Sequence, residues 1–264
     1  MKITLITVCF NSAAVIRTAL ESVLAQKGAD YEYIVMDGAS ADGTVDILRV
    51  YAPKFAGRMR WVSGSDKGMY DAMNSGIRLS TGDVIGLLNA DDALASDDVL
   101  LKVAAAFESD SNLDGTYADI RFVRDLGRTI GLSDFRALPT FRYCTGRYFR
   151  PWMFRFGTQT AHPSTFFRRA CFARWGLYSL DYGMFGDFEL LLRFIWKNRA
   201  RMRYLPLCTT VMRAGGASTN GWASTKKINE TDCCAIRDNG FYTNIAFLYF
   251  RYVFKIWGFV FKQK

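Results

Sequence analysis

Apolar and polar positions along the first ninety residues fall into two alternating kinds of block. "KITLITV" (2–8) is a β-branched run of the strand type, and "YEYIVMD" (31–37) and "RMRWVS" (58–63) repeat it. "DVIGLLN" (83–89) is apolar enough for a strand covered on both faces. Between these runs the period becomes helical. Ile16, Ala19, Leu20, Val23 and Leu24 share one face of a helix that Asn11 or Ser12 can cap and Gly28 ends. A second helix follows "GASADGT" and stops before Pro53, and a third spans 69–79 with Met69, Ala72, Met73, Gly76 and Ile77 on one side. This β-α-β-α-β-α-β order predicts an α/β fold with a parallel sheet, helices on both faces and a ligand site at the carboxyl ends of the strands. Beyond residue 110 the pattern is less regular. "GTYADIRFV" (115–123) and "GRTIGL" (127–132) predict a hairpin, 164–169 a strand, 187–197 a helix and 201–212 a further strand, while 135–157 is aromatic and arginine-rich with few cues. No repeat or low-complexity linker marks off an independent second domain.

Composition adds two constraints. Half of the 264 residues are hydrophobic and 15% are aromatic, which excludes a disordered chain. The net charge of +9 is uneven: residues 1–141 carry −5, 142–213 carry +10 and 214–264 carry +4. A basic half can serve nucleic acid, anionic lipid or a phosphorylated substrate. The six cysteines form no CxxC or metal-finger spacing, so a reducing compartment is expected. The N-terminus reads as a first strand and not as a secretory signal.

Three carboxylate stations fall at predicted strand ends: Asp37, Asp66 and the pair Asp91/Asp92. Two adjacent like charges at a buried strand end need compensation, and a divalent cation such as Mg²⁺ or Mn²⁺ supplies it while taking substrate phosphate as further ligands. Asp71, Asn74 and Arg78 recur at i, i+3 and i+7 opposite the Met69/Met73 face, which suits either a sugar nucleotide or solvent. Lys67 can meet phosphate or pair with Asp71 at i, i+4. Thr7, Phe10 and Asn11 line the first strand–helix crossing, where a base or ribose fits.

The motifs then resemble a family. "TVCFN…SVLAQ" (7–11 and 22–26), "DGASADGT" (37–44), "SGSDKGMYDAMNSG" (63–76), "NADD" (89–92) and "GDFELLLR" (186–193) are similar, in order, to the motifs of family 2 glycosyltransferases over roughly residues 3–220. "YDAMN" and "GGASTN" (215–220) look most like the bacterial exopolysaccharide subgroup of the colanic-acid type. The resemblance implies the GT-A fold, a Rossmann-like, mostly parallel sheet flanked by helices. It also implies a nucleotide-sugar-binding half (1–110) and an acceptor-binding half (111–220) of the same domain; beyond it, residues 221–264 read as a C-terminal helical, membrane-associating tail. It implies an inverting, metal-dependent transferase that moves a sugar from a nucleotide donor, UDP-linked or with guanine as the alternative base, to a lipid-linked or polysaccharide acceptor.

Through the same resemblance, Asp37 accepts the uracil N3–H, and Asp92 binds the metal with Asp91 on the metal or the ribose; Asp66, after the third strand, suits either a contact to base or ribose or a cap on the next helix. Asn89 stands where the family commonly has an aspartate. Asp187 is the candidate general base, a role that can coexist with the alternative reading of a helix N-cap, and Glu189 is the substitute base. His162, the only histidine, is placed near the acceptor, and Arg213 with Gly216 in a loop over the diphosphate.

The stretch 241–264 is long enough to span a bilayer, but Arg251 and Lys255 lie in mid-run. Asn244, Arg251, Lys255 and Lys262 form one helical stripe in an otherwise apolar segment, the pattern of an amphipathic helix lying in the interface of an anionic membrane. Packing on the protein or on a homodimer partner is the alternative. The expected setting is the inner face of the cell membrane, with no nucleic-acid partner. Two other functions compete. A sugar-1-phosphate nucleotidyltransferase needs a glycine-rich phosphate loop after the first strand, which "CFNSA" does not offer. A non-enzymatic, membrane-associated carbohydrate-binding protein would show no turnover.

Overall fold

The computed structural model describes residues 1–124, 130–215 and 221–251. The β-branched run becomes β1 (Lys2–Cys9), followed by α1 (Ile16–Leu24), β2 (Asp30–Asp37), α2 (Thr44–Tyr51), β3 (Met59–Ser63), α3 (Met69–Leu79) and β4 (Val84–Leu87). The second half adds β5 (Ala93–Leu94), α4 (Val99–Glu108), β6 (Gly115–Val123), α5 (Leu132–Ala137), β7 (Thr140–Cys144), β8 (Thr165–Arg168), α6 (Arg169–Trp175), α7 (Gly186–Leu191), β9 (Met202–Arg213) and α8 (Gly221–Asp238). One sheet runs through both halves in the order β3-β2-β1-β4-β8-β6-β9-β5, with β7 paired to β6. The first four strands are parallel, β8 runs against both β4 and β6, and β9 is parallel to β6. The sheet is therefore mixed.

Side-chain alternation divides the core. Ile3, Leu5, Tyr31, Tyr33 and Val35 enter the layer under α1, α2 and α4. Ile6, Ile34 and Met36 enter the layer under α3, α6 and α7. Gly76 lets α3 press onto β1, because a Cβ there would stand 2.7 Å from the Ile6 Cγ2.

Three local expectations are corrected. No side chain caps α1; the Ser12 carbonyl accepts the Val15 and Ile16 N–H groups, and the Asn11 side chain serves another loop. Among the described residues the hairpin partner of β6 is Thr140–Cys144, and Leu132–Ala137 is helical; residues 125–129, which hold much of the expected partner, lie outside the described residues. Finally, Arg251 does not face water from a polar stripe. It is buried in an ion pair with Asp232 at 2.6 Å and donates to the Gly157 carbonyl. Lys255 and Lys262 lie outside the described residues. Among the described residues no helix is long and apolar enough to cross a membrane.

At the amino edge of the sheet, Glu32 forms a buried knot that has no sequence signature. Its carboxylate accepts from the Thr4 hydroxyl at 2.6 Å, the Thr81 N–H and hydroxyl, and the Gly82 N–H, with Lys2 and Arg60 alongside. Burial pushes its pKa up, but the donors outweigh burial and bring it down to about 2. A depressed carboxyl contributes stability that is present above its unfolded value and lost as pH falls toward the folded one. Glu32→Gln is therefore expected to lower stability by about 2 kcal/mol at neutral pH. In urea melts the parent should lose stability between about pH 4 and pH 2, and the variant should lose less over that range.

Candidate active site

The carboxyl ends of β1, β2 and β3 meet two loops that the "DGASADGT" motif holds together. Asn11 and Ser12 donate their backbone N–H groups to Ser40 Oγ (2.7 Å) and Thr44 Oγ1 (2.8 Å). The Ala13 N–H reaches Asp42 Oδ2 (2.9 Å), and Asn11 Oδ1 accepts the Ala41 N–H (3.0 Å). Asn11 has φ +48°, in the left-handed region that asparagine tolerates, so it braces the loop instead of capping α1. Asp37 ends β2 and is 2% exposed. Its carboxylate accepts from the Ser40 N–H (3.0 Å), the Ser40 hydroxyl and the Ser63 hydroxyl (2.6 Å). Burial raises its pKa, but these donors more than offset that and hold it below the usual carboxylate value. Asp66 Oδ2 stands 3.0 Å from where a Gly38 Cβ would be, with the Phe10 ring on the same bare backbone, and Phe10 is 65% exposed. Phe10, Asp37, Gly38 and Asp66 thus form one station.

The pair Asp91/Asp92 forms another, in the turn after β4. β1 separates β2 from β4, so at least two strand spacings, about 10 Å, lie between the stations. Asp37 and Asp66 therefore stand apart from the Asp91/Asp92 pair instead of converging with it on one ion. Asp92 is 1% exposed; Asn89 Nδ2 donates to it at 2.8 Å and the Arg213 N–H at 3.2 Å. Burial raises the Asp91 pKa. Burial and the Asp91 charge raise that of Asp92 well above the ordinary value, against the pull of Arg213. The Arg213 Nε reaches the Asp91 carbonyl at 3.4 Å, so the end of β9 is tied to this turn.

Among the described residues no group of three or more His, Cys, Asp or Glu is arranged to hold a metal ion. Two hard carboxylates whose charge is disfavoured by burial do fit a Mg²⁺ or Mn²⁺ that takes its other ligands from phosphate and water, because such ions are commonly held by one or two carboxylates.

A third station faces these. β8 runs against β4, so the segment before it (158–164) lies on the carboxyl edge, as does the start of α3. The Tyr70 hydroxyl is shared between Asp187 Oδ1 (3.2 Å) and the Met184 carbonyl (3.1 Å), Asp187 Oδ2 accepts from Gln159 Nε2 (3.1 Å), and the Asp187 N–H donates to the Tyr70 oxygen (3.1 Å). Tyr70 stacks on Tyr178 at 5.3 Å, and the Tyr178 hydroxyl meets His162 Nε2 at 2.6 Å. Burial lowers the His162 pKa while the Asp187 charge acts the other way. His162 therefore stands one layer behind Asp187.

The other expected residues divide. Asp71 accepts the Lys67 backbone N–H at 3.1 Å, so that pair meets through the main chain. Thr7 is corrected to an interior residue, donating to the Leu88 carbonyl and accepting from the Tyr33 hydroxyl. Asn74 is also interior; its amide pairs both ways with the Tyr178 backbone at 2.9 Å. Arg78 is near the far end of α3, about 10 Å along the axis from Asp71, next to Leu79 whose carbonyl is bound by Arg60 of β3. Glu189 is buried in an ion pair with Arg193 and accepts from Asn239, which leaves it no role as a substitute base. Gly216 lies outside the described residues. Tyr70 and Gln159 were not singled out from sequence; only "YDAMN" carried a signal for the first.

The profile described as Glycosyl transferase family 2 matches residues 4–174. A PGL/p-HBAD biosynthesis glycosyltransferase of Mycobacterium bovis is 30% identical over 210 residues, 80% of this chain and 76% of its own length. Among solved structures, Staphylococcus aureus TarS 1–349 in complex with UDP-GlcNAc aligns with TM-score 0.64 and 18% identity, over 94% of this chain and 70% of that one. The chain spans 41% of a longer TarS structure. A mannosyltransferase from Pyrobaculum calidifontis, in complex with GDP-Man and Mn²⁺, aligns with TM-score 0.59 and 15% identity, over 98% of this chain and 81% of that one. At these identities the structural likeness concerns the fold.

Proposed function

The chain belongs to glycosyl transferase family 2, and we propose that it transfers one sugar, with inversion, from a UDP-activated donor to a lipid-linked or polysaccharide acceptor. The setting proposed is bacterial surface-glycan assembly, at the inner face of the cell membrane. The observation that carries the reading is the placement of Asp187, its carboxylate held by Tyr70 and Gln159, on the sheet edge that also presents the Asp91/Asp92 pair. The Phe10–Asp37–Asp66 station receives the base and ribose. For the uracil imide to reach Asp37, the Ser40 hydroxyl gives up its place. Asp91 and Asp92 face the diphosphate, where a bound Mg²⁺ or Mn²⁺ would offset its charge and stabilise it as a leaving group. Arg213, whose Nε reaches the Asp91 carbonyl, stands at that end.

Asp187 takes the acceptor hydroxyl proton as that oxygen forms its bond to the anomeric carbon. The bond from that carbon to the donor phosphate oxygen breaks, and its electron pair leaves with UDP. Attack opposite the leaving group inverts the configuration. The 1–110 and 111–220 halves divide these tasks between donor and acceptor. Incubating the protein with UDP-sugars, Mn²⁺ and a lipid-linked acceptor, and reading the product by NMR, should give UDP and the inverted linkage. A retained configuration, or no UDP release with any nucleotide sugar, contradicts the proposal.

Tyr70 acts on the reaction through Asp187. Tyr70→Phe keeps the ring stack but removes the hydroxyl that fixes the carboxylate. It is expected to lower kcat about tenfold with the donor KM nearly unchanged, as measured in steady-state assays.

A further inference from the structure

We propose that the face built by the Pro151–Phe156 turn and the 242–251 segment docks on an anionic phospholipid surface. This deepens the membrane-associated reading above and is independent of the transfer chemistry. The last described helix, residues 245–251, turns an arginine inward beside Leu248 and leaves three large apolar or aromatic side chains outside. Leu248 and the Arg251 guanidinium point inward, the latter onto Asp232, while Ile245, Tyr249 and Phe250 are 43%, 45% and 55% exposed. The buried ion pair fixes that rotation. Replacing one partner would leave the other charge buried, so the apolar side is locked outward.

The exposed rings are also contiguous. Trp152 (54% exposed) meets Phe156 at 5.9 Å, Phe156 meets Phe250 at 6.4 Å and Phe247 at 5.3 Å, and Phe247 meets Tyr242 (67% exposed) at 6.2 Å. Scattered exposed apolar residues are ordinary on a protein surface, whereas a joined aromatic patch marks an interaction site. Charge decides the partner. Beside the patch, a cavity of about 420 Å³ is lined by Pro151 and by the stacked Trp196 and Phe241, and its two charged lining residues are Lys197 and Arg199. Arg150, also exposed, precedes the turn. Carboxylates nearby are engaged elsewhere: Asp232 holds Arg251, Glu189 holds Arg193, and Asp238 accepts from Tyr182. Exposed Trp and Tyr next to the exposed cations Arg150, Arg199 and Lys197, the last also 3.3 Å from Asn239 Oδ1, is the chemistry of the bilayer interface, where the rings enter the headgroup layer and the cations meet phosphate.

Flotation of the full chain tests this, with vesicles of phosphatidylcholine alone and of phosphatidylcholine mixed with phosphatidylglycerol. The protein should float with the mixed vesicles, less so in high salt. Trp152→Ser with Phe250→Ser should reduce partitioning by at least about tenfold. Lys197→Gln with Arg199→Gln should reduce it by about twentyfold on the mixed vesicles only. No flotation of the parent, or equal flotation of every variant, overturns the proposal. So does a parent that light scattering finds dimeric and the aromatic variant monomeric, because a second copy then covers the face. UDP-sugar hydrolysis without vesicles, read on the same samples, should be equal in parent and variants. If it is missing in all of them while flotation behaves as stated, the transfer reading fails and the docking surface stands.

Discussion

Replacing Asp92 by asparagine is expected to abolish sugar transfer, by a factor on the order of a thousand, while leaving the unliganded protein at least as stable as the parent. The two effects share a cause. Asp92 is 1% exposed and beside Asp91, and burial and that neighbouring charge raise its pKa well above the ordinary value. A carboxyl with a raised folded pKa takes up a proton on folding. Its contribution to stability is greatest below the unfolded pKa and declines as pH rises through the interval up to the folded value. At neutral pH the parent therefore carries a destabilising carboxyl that the asparagine variant lacks. Asn89 and the Arg213 N–H meet the two Asp92 oxygens, and asparagine can keep the latter bond through its own oxygen. A group that costs stability and is retained for turnover is the signature of a site built for a ligand. Thermal melts from pH 5 to pH 8 should show the variant level with or above the parent. A lower melting temperature throughout would make Asp92 a structural residue.

Asp187→Asn should reduce kcat by about a hundred- to ten-thousandfold, with donor affinity changed by less than about twofold. The carboxylate sits between the Tyr70 hydroxyl and Gln159, and asparagine fills the same volume. The Gln159 amide can turn to offer its oxygen to the new Nδ2, so the fold is kept and only the proton acceptor is removed. Calorimetry with UDP separates the cases. Weakened UDP binding would place Asp187 in the donor site instead of at the acceptor hydroxyl. Glu189→Gln makes the contrast. Glu189 is buried against Arg193 and Asn239, so its loss should show chiefly as lower stability.

Period and motif order made the first four strands, their helices and the sheet edge legible from sequence. What they could not give was the end of an element at which a residue lies. Asp71 and Arg78 share one helical face by spacing, yet α3 runs antiparallel to the strands, so its start meets the site and its end meets the opposite edge. Nor does spacing show whether a polar residue points in or out. Thr7 and Asn74 looked like ligand groups, but each satisfies a buried backbone carbonyl on another element, a partner about eighty to a hundred residues away. The same long range hid the Glu32 knot and the link from Tyr70 to Asp187, 117 residues apart. Arg251 was misread for the opposite reason. A stripe of charges is drawn for a lone helix, and here Asp232 on α8 turns the charge inward.

The edge carrying Asp37, Asp66 and the Asp91/Asp92 pair is expected to bind a nucleoside diphosphate together with a divalent ion. Mn²⁺ electron paramagnetic resonance reads it directly. Adding UDP with the protein should remove free-ion signal beyond what UDP alone removes, and Asp92→Asn should restore it to the UDP-only level. Equal signal with parent, variant and no protein would contradict the account.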